Sequence, residues 1–386
     1  MIKALTTDSK AAALVPLLLG WYAENARDLP WRRTRDPYGI WVSEIMLQQT
    51  QVKTVLPFWT RWMTELPTIE SAAAAGSGKI HKLWEGLGYY TRARNLHRAA
   101  RMILEKDDGR FPHRFEDILA LPGVGRYTAG AIASIAFNQP HPILDGNVIR
   151  VLTRIFGIRE NPRKKRANRR LWQLAGQLVL HASTLAPGKT ANGPQGTNND
   201  YCSRFNQSLM ELGASICLPR NPGCSCCPAK KICLAFKTHR VARLPNLGKR
   251  PAAVARHFIA FIATRRKKFL VRQRPENVVN AHLWEFPNVE IPVIVNGRSG
   301  PAAIIFKRHL GMEPPPLRPF CAIKHSITRY RIALDVYHGA FDAPAGIAAR
   351  IPGHEWRTFD ELDALPFTAA HRKILKLLGR AGSAGP

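Results

Sequence analysis

The chain has 386 residues, of which 45% are hydrophobic and 22% are charged. This composition excludes wholesale disorder, and the length exceeds what one ordinary domain needs, so we expect two or three domains. The 57 Lys and Arg outnumber the 27 Asp and Glu by 30, which favours an acidic polymer or an anionic surface as the partner over a merely solubilising charge. Residues 151–250 contain 18 basic and 3 acidic residues, which is half of the net charge.

The N-terminal stretch predicts the first helix of the fold. Residues 11–19 are apolar and follow two lysines, as in a signal peptide, but Pro16 interrupts them and no small-x-small cleavage site follows. The apolar pattern continues at helical spacing as far as Tyr22. The sequence has no run of about 18 apolar residues, so we expect no membrane span.

Residues 1 to about 236 predict a mainly α domain. Apolar residues recur at helical spacing in 40–52 and 83–104, and turns rich in glycine separate the helices. Residues 187–199 are rich in Gly, Asn and Pro and predict a flexible surface loop. Residues 237–254 show little periodicity, which indicates an interdomain linker.

From residue 255 to about 380 the apolar period changes and predicts an α+β domain. Residues 257–263 and 268–272 flank a basic turn, as in a β-hairpin. Residues 323–337 alternate as in a strand, and residues 368–378 predict an amphipathic closing helix.

Five of the seven cysteines fall within residues 217–233, which indicates metal ligation in a reducing compartment. The candidate ligands follow a C-x6-C-x2-C-x5-C spacing and are Cys217, Cys224, Cys227 and Cys233. Four thiolates suit zinc or a [4Fe-4S] cluster. Zinc ribbons bring their cysteines as two close pairs, and no His lies inside the segment, so we favour the cluster and keep structural zinc as the alternative. Cys226 falls outside the spacing and is interpreted as a non-ligand.

Residues 121–132, LPGVGRYTAGAI, predict a helix, a tight turn and a second helix. Gly123 and Gly125 permit the turn, and the backbone amides that begin the second helix, together with Arg126, form a candidate site for a DNA phosphate. Plain punctuation between two helices is the alternative interpretation.

Two acidic residues stand out. Glu44 lies in an otherwise apolar helical stretch, where desolvation would raise its pKa as a general acid near neutral pH requires. Asp145 begins a helix with an apolar inner face. Taken singly, a Glu on a helix surface and an Asp acting as an N-cap are the plainer interpretations.

Together these motifs resemble the A/G-specific adenine DNA glycosylase (MutY) family of the endonuclease III and helix-hairpin-helix superfamily. The motifs that carry the resemblance are LPWR (29–32), SEIMLQQTQV (43–52), LPGVGRYTAGAI, LDGNV (144–148) and the four-cysteine loop. The resemblance covers nearly the whole chain. It implies a helix-hairpin-helix glycosylase domain at 1–236 with a [4Fe-4S] loop at 217–233, a linker at 237–254, and a Nudix-like domain at 255–380.

The resemblance implies base excision repair: hydrolysis of the N-glycosidic bond of an adenine mispaired with 8-oxoguanine or guanine. The adenine would be flipped from the duplex into a pocket. Glu44 would protonate the base at N7 and later help to activate water, while Asp145 would stay ionised and stabilise the oxocarbenium-like sugar. Tyr127 and Asn147 match positions that support the transition state.

Further site residues come from the same resemblance. Trp31, Arg32 and Gln207 match positions that line the adenine pocket, and Gln49 and Tyr89 match positions that enter the duplex and contact the opposite base. Members with lyase activity place a nucleophilic lysine after LPGVGR, where this chain has Tyr127, so a monofunctional glycosylase is expected.

The second domain departs from the family in its recognition loop. The family commonly has Phe-Ser-His there, whereas this chain has Ile327, Thr328 and Arg329. Thr328 keeps a hydroxyl that could form a hydrogen bond with the lesion, and Arg329 adds a contact to a phosphate or a base. We therefore expect the preference for 8-oxoguanine to be retained, with more contact to the DNA backbone. An exposed, solubilising hairpin is the alternative. The clustered glutamates of a Nudix box are absent, so diphosphate hydrolysis is not expected.

Two other functions fit the sequence less well. An endonuclease III-like glycosylase-lyase is disfavoured by Tyr127 and the long C-terminal domain. A non-catalytic iron-sulfur protein that binds DNA would have lost a catalytic carboxyl, and both are present. The expectation is therefore a monomeric enzyme that acts on double-stranded DNA in the cytoplasm, at the nucleoid.

Overall fold

The computed structural model describes residues 7–185, 200–248, 252–276, 278–292, 302–327, 329–341 and 351–383. The chain divides into two compact units. The first unit contains residues 1–74 and 95–250, and the second contains residues 75–94 and 251–386. The predicted loop at 187–199 and the candidate site residue Thr328 lie outside the described residues.

The first unit is helical, as predicted. The α-helices described between residues 7 and 237 are α1 (Thr7–Asn25), α2 (Pro37–Leu47), α3 (Val52–Glu65), α4 (Ile69–Ala74), α5 (Ser77–Leu83), α6 (Thr91–Asp107), α7 (Phe115–Leu119), α8 (Arg126–Phe137), α9 (Gly146–Phe156), α10 (Lys165–Ser183), α11 (Tyr201–Ser215) and α12 (Leu234–Lys237). Helix α5 and the first four residues of α6 belong to the second unit.

Helix α11 lies at the centre of the first unit and packs against α1, α8, α9 and α10. Its side chains are buried almost all round, including the polar Asn206, whose amide donates to Ser134 Oγ at 2.8 Å and to the His141 carbonyl at 2.9 Å. Because buried polar groups are costly unless they are hydrogen-bonded, these contacts fix the register of α11 against α8. Leu244, within the range predicted as linker, is buried in this unit, and its carbonyl accepts from Arg154 Nε at 2.9 Å.

The first helix is confirmed, but two long helices predicted from apolar spacing are wrong in their extent. The stretch 40–52 is interrupted after Leu47, because Gln49 has a φ of 57° and this left-handed conformation cannot continue a helix. The stretch 83–104 is interrupted between α5 and α6, where Gly86 and Gly88 have φ values of 111° and 71°. Apolar side chains continue through both turns, so the spacing does not reveal them.

The second unit is α+β, as predicted, and its described residues form a seven-stranded sheet of order β3-β2-β1-β6-β5, with β4 paired to β1 and β7 to β2. The strands are β1 (Val254–Arg265), β2 (Lys268–Gln273), β3 (Trp284–Glu285), β4 (Asn288–Ile291), β5 (Arg318–Ile327), β6 (Tyr330–Ala340) and β7 (His354–Thr358). The predicted hairpin is confirmed: Arg265 pairs with Lys268 across Arg266 and Lys267, whose φ values of 46° and 61° fit a type I′ turn. The alternation of residues 323–337 belongs to two antiparallel strands, β5 and β6.

Helices cover both faces of this sheet. Helices α14 (Phe359–Ala364) and α15 (Ala369–Ser383) pack on a core that includes Phe286, Phe367 and Ile374. Helix α13 (Ala302–Leu310) packs on the opposite face, where Phe306 meets Phe261 edge to face. Among the residues described, no helix is long and apolar enough to cross a membrane.

Candidate active site

The first unit contains a cavity of about 520 Å³ between α2, α8, α11 and the start of α9. Its volume suits a small organic group such as a purine base. The structure brings seven of the predicted site residues together in its lining: Trp31, Arg32, Glu44, Tyr127, Asp145, Asn147 and Gln207.

Glu44 lies on the buried face of α2. The helix begins at Pro37 and is capped by Asp36, whose carboxylate accepts from the backbone amides of Tyr38 and Gly39 at 3.1 and 2.9 Å. Glu44 is 5% exposed. Burial raises its pKa to about 7, interaction with the Tyr127 hydroxyl lowers the pKa in part, and the nearby Asp145 raises it further. A carboxyl with this pKa can donate a proton near neutral pH.

Asp145 lies at the N-cap of α9 and faces the same cavity. Its Oδ1 accepts from Val148 N at 2.7 Å, and its Oδ2 accepts from Asn147 Nδ2 at 2.9 Å. Burial raises the pKa of Asp145 above its usual value, and these hydrogen bonds and the charge of Arg150 offset the rise only in part. Both cavity carboxyls are therefore desolvated, but Asp145 accepts hydrogen bonds from a backbone amide and a side-chain amide that favour its ionised form.

Arg150, which was not predicted from the sequence, orients the first turn of α9. Its Nη2 donates to Asn147 Oδ1 at 2.8 Å and to the Gly213 carbonyl at 2.7 Å, and its Nε donates to the Cys217 carbonyl at 2.7 Å. Arg150 is 8% exposed. Since a buried guanidinium must satisfy its donors, Arg150 ties Asn147, α11 and the start of the cysteine loop into one rigid arrangement.

Tyr127, on the first turn of α8, is enclosed by the cavity. Its hydroxyl lies 3.2 Å from Met210 Sδ, and burial beside Glu44 and Asp145 raises its pKa well above the usual range. The hydroxyl therefore stays protonated and can donate toward Glu44 or toward a group bound in the cavity.

A buried carboxylate that the sequence analysis missed, Glu211, supports one wall of the cavity. It accepts from Arg32 Nη2 at 2.7 Å and from Arg27 at 2.5 and 3.0 Å. Burial alone would raise the pKa of Glu211, but the two guanidiniums hold it below its usual range. Its only sequence signal is an acidic residue in the apolar run of α11, the same signal that drew attention to Glu44.

Gln207 and Trp31 complete this wall. The Gln207 amide is fixed at both ends, because its Oε1 accepts from the Tyr22 hydroxyl and its Nε2 donates to Ser203 Oγ, each at 3.1 Å. Trp31 is 6% exposed, and its ring packs edge to face on Trp59 with centroids 5.8 Å apart. A flat indole and an oriented amide are suitable neighbours for a planar heterocycle.

The predicted hairpin lies between α7 and α8. Gly123 has a φ of 79°, and a Cβ at this position would lie 2.7 Å from Asn95 Cβ, so the turn requires glycine. Gly125 is the N-cap of α8, and no side chain caps the helix there. Arg126 lies 4.1 Å from the ring centroid of Trp172 on α10, which holds this cation beside the helix start.

Gln49 and Tyr89 are not among the residues that line the cavity. Each has an exposed side chain and a left-handed backbone, with φ values of 57° and 49°. A non-glycine residue in this conformation is uncommon, and such residues concentrate at functional sites.

The four predicted metal ligands line one cavity, together with the cations Arg154 and Lys230. Arg154 Nη1 donates to Cys217 Sγ at 3.3 Å, and burial raises the pKa of Cys227 to about 12. Within the described ranges, no three His, Cys, Asp or Glu side chains converge on the position of a single metal ion. A set of four sulfur donors with adjacent cations fits a thiolate-bound iron-sulfur cluster. Cys226 is exposed and does not line this cavity.

In the second unit, the described part of the predicted recognition loop is cationic and aromatic. The Arg329 and Arg256 guanidiniums lie 5.3 and 5.2 Å from the ring centroid of Tyr330, and Arg329 Nη2 donates to the Tyr330 hydroxyl at 3.3 Å. An ion pair with Glu290 anchors Arg256. The described residues of this hairpin therefore place two cations beside one aromatic ring.

Comparison with known proteins identifies relatives of both units. Residues 42–177 match the family described as HhH-GPD superfamily base excision DNA repair protein, and residues 259–377 match the NUDIX domain family. The adenine DNA glycosylase of Rattus norvegicus is 34% identical over 415 aligned positions, which cover 93% of this chain and 77% of the rat protein. That of Homo sapiens is 33% identical over 425 positions, covering 93% and 73%. The structure of a thermostable thymine-DNA glycosylase superposes with a TM-score of 0.51 and 31% identity, covering 60% of this chain and 99% of the other.

Proposed function

Because the chain belongs to the adenine DNA glycosylase family, we propose that it is a monofunctional glycosylase that excises adenine mispaired with 8-oxoguanine or guanine. The observation that carries the proposal is the pairing of Glu44 and Asp145 in one base-sized cavity, with the pKa of Glu44 raised to about 7. One carboxyl can then act as an acid while the other provides negative charge.

In the proposed reaction, a flipped adenine enters the cavity between Trp31 and Gln207. Protonated Glu44 donates its proton to N7 of the base, and the N-glycosidic bond breaks as its electrons pass to the base. Positive charge develops on the sugar, and the Asp145 carboxylate stabilises it. Glu44, now ionised, accepts a proton from the water that attacks the anomeric carbon, so adenine and an abasic site are released.

Tyr127 and Asn147 act beside the two carboxyls. Asn147 donates to Asp145 Oδ2 at 2.9 Å and so orients the carboxylate toward the cavity. Tyr127 cannot form a Schiff base, because it has no amine, so strand cleavage through a lyase step is not part of the proposal.

We assign a [4Fe-4S] cluster to Cys217, Cys224, Cys227 and Cys233. Their four sulfurs line one cavity, which supports ligation by thiolates. Among the described residues no three donors converge on a single ion, which favours a cluster of several metal ions over one structural zinc. When bound, the cluster would close the loop and stabilise its fold rather than take part in bond cleavage. Arg220, Lys230 and Lys231 would then stand on a fixed loop and contact DNA phosphates.

DNA contacts outside the cavity are assigned by chemistry. The amides after Gly123 and Gly125, with Arg126, would bind a phosphate. Gln49 and Tyr89 would enter the duplex at the mispair, and Thr328 with Arg329 would read the base opposite adenine. The Arg256–Tyr330–Arg329 cluster supports this last assignment, since two guanidiniums beside an aromatic ring form a cationic surface suitable for a phosphate or a base. We expect a monomer that acts on nucleoid DNA in the cytoplasm.

The test is single-turnover release of base from duplexes that contain A:8-oxoguanine, A:G or thymine glycol. We expect release from the two adenine duplexes only, and Glu44→Gln and Asp145→Asn should each abolish it. Glu105→Gln, which alters an exposed carboxylate on α6, is the matched control. Substantial adenine release by either cavity variant would refute the assignment, and borohydride trapping of the wild type on DNA would favour a lyase instead.

A further inference from the structure

Residues 75–94 belong to the second unit, although more than 150 positions separate them from its strands. Glu85 ties them to the rest of that unit. Its Oε1 accepts from the backbone amide of Phe367 at 2.9 Å and from Arg372 Nε at 2.7 Å. A single carboxylate oxygen therefore joins the turn after α5 to the start of α15.

The Glu85–Arg372 pair is shielded from solvent. The two side chains are 14% and 13% exposed, so their attraction is screened less than that of a surface ion pair. Arg372 also donates to the Leu365 carbonyl and to Asp363 Oδ1. It lies in the first turn of α15, where the helix dipole disfavours a cation, and its acidic partners compensate for that position.

Three further contacts hold the same segment. Arg94 Nη1 donates to the Ala281 carbonyl at 3.1 Å, and the Lys82 ammonium donates to the Asp363 carbonyl. The His81 ring stacks on His282, with centroids 6.5 Å apart and an interplanar angle of 13°. The segment is thus attached at both ends as well as at Glu85.

Between these attachments lies a tight turn that ends in Tyr89. Arg92, which is 8% exposed, donates from Nη2 to the carbonyls of Leu87 and Gly88 at 3.1 Å each, and Trp84 Nε1 donates to the Gly88 carbonyl at 3.1 Å. The turn is fixed from within, yet Tyr89 is 43% exposed and has a φ of 49°. A strained, exposed aromatic on a braced turn is arranged for contact with a partner.

We propose that Arg372 is a positioning residue that acts through Glu85 to hold the Tyr89 turn in the conformation that discriminates the base opposite adenine. This inference rests on the proposed function of Tyr89. It makes the start of α15 a determinant of the preference between A:8-oxoguanine and A:G. Arg372 itself need not touch DNA.

The experiment compares Arg372→Met, Glu85→Gln, Tyr89→Ala and the Arg372→Met/Tyr89→Ala double variant, all in the full chain. The matched control is Arg357→Gln, which removes two ion pairs, with Glu355 and with Glu361, that do not involve residues 75–94. One readout is amide hydrogen exchange across residues 84–90. The other is the ratio of single-turnover rates on A:8-oxoguanine and A:G duplexes.

We expect Arg372→Met to speed exchange across residues 84–90 by about tenfold, the scale of one charge-assisted hydrogen bond, and to lower the rate ratio by a similar factor. Glu85→Gln keeps an acceptor for Phe367 and should have the same effects at smaller amplitude, which covers the case in which Arg372→Met misfolds. Because Arg372 acts through Tyr89, the double variant should match Tyr89→Ala alone. The control should change neither readout.

Unchanged exchange in both Arg372→Met and Glu85→Gln would overturn the proposal, and so would additive losses of the rate ratio in the double variant. If the wild type released no adenine from either duplex, the proposed function would fail. The exchange measurement would still decide whether Arg372 holds the turn.

Discussion

Arg150 Nη2 donates a hydrogen bond to Asn147 Oδ1 at 2.8 Å, and both residues lie on the first turns of α9. Asn147 in turn donates to the Asp145 carboxylate, so the orientation of this cavity aspartate depends on a guanidinium that is itself fixed by the backbone carbonyls of Gly213 and Cys217. Through these contacts, a substitution outside the cavity can change the orientation of Asp145.

Arg150→Gln is expected to lower the single-turnover rate of adenine release by about a hundredfold, because Asp145 loses the group that orients its partner. Substrate affinity should change much less. The rate and the dissociation constant for DNA are measured separately, with Arg101→Gln, an exposed arginine on α6, as the control. Equal losses in both parameters would point to general misfolding instead.

The rate of base release is expected to fall as pH rises through about 7, the pKa to which burial raises Glu44. The protonated carboxyl is the acid, so each unit of pH above this value should lower the rate about tenfold. The measurement is a single-turnover pH profile at constant ionic strength. A rate that rises from pH 7 to 8 would contradict the assignment of Glu44 as the acid.

The same raised pKa predicts a pH dependence of stability. Because the folded protein binds the Glu44 proton more tightly than the unfolded chain, the free energy of unfolding should decrease as pH rises from about 4.5 to about 7. The contribution is about 3 kcal/mol over this range. Glu44→Gln removes the titration, so the difference in stability between wild type and variant should shift in favour of the variant as pH increases. Parallel pH profiles of stability would argue against a raised pKa.

Two glycine substitutions make a matched pair. A Cβ at Gly213 would lie 2.6 Å from Asn147 Cβ, so Gly213→Ala must push the start of α9 away from α11 and should lower both stability and activity. Gly20, in α1, has no atom within 4 Å of the added Cβ, and Gly20→Ala should raise the free energy of unfolding by up to about 1 kcal/mol. Denaturant unfolding and the excision assay measure both. An active, stable Gly213→Ala variant would show that the helices can separate without cost.

The cysteine assignment predicts different outcomes for neighbouring thiols. Cys227→Ser should lose iron, whereas Cys226→Ser should retain it, since Cys226 is exposed and lies outside the four-sulfur cavity. Iron and zinc content and the visible absorption of the purified proteins provide the readout. Stoichiometric zinc in place of iron in the wild type would restore the zinc alternative.

Short sequence motifs predicted the parts of the site that neighbouring residues form. Glu44 and Asp145 each lie within such a motif, and Gly123 and Gly125 predicted the hairpin turn. Glu211 was missed because its partners Arg27 and Arg32 lie 184 and 179 positions away, so nothing near it in the sequence reveals the ion pairs. The breaks at Gln49 and Gly86 were missed for another reason: apolar spacing reports which side chains are buried and is insensitive to one left-handed residue.

Because residues 75–94 belong to the second unit, no single cut in the sequence separates the two units. In a chimera that exchanged only residues 252–383 with those of a relative, Glu85 would come from this chain and α15 from the relative. Transplanting the second unit therefore requires two pieces of chain to move together, and a shortened protein that ends near residue 250 would retain the Tyr89 turn without its Arg372 support.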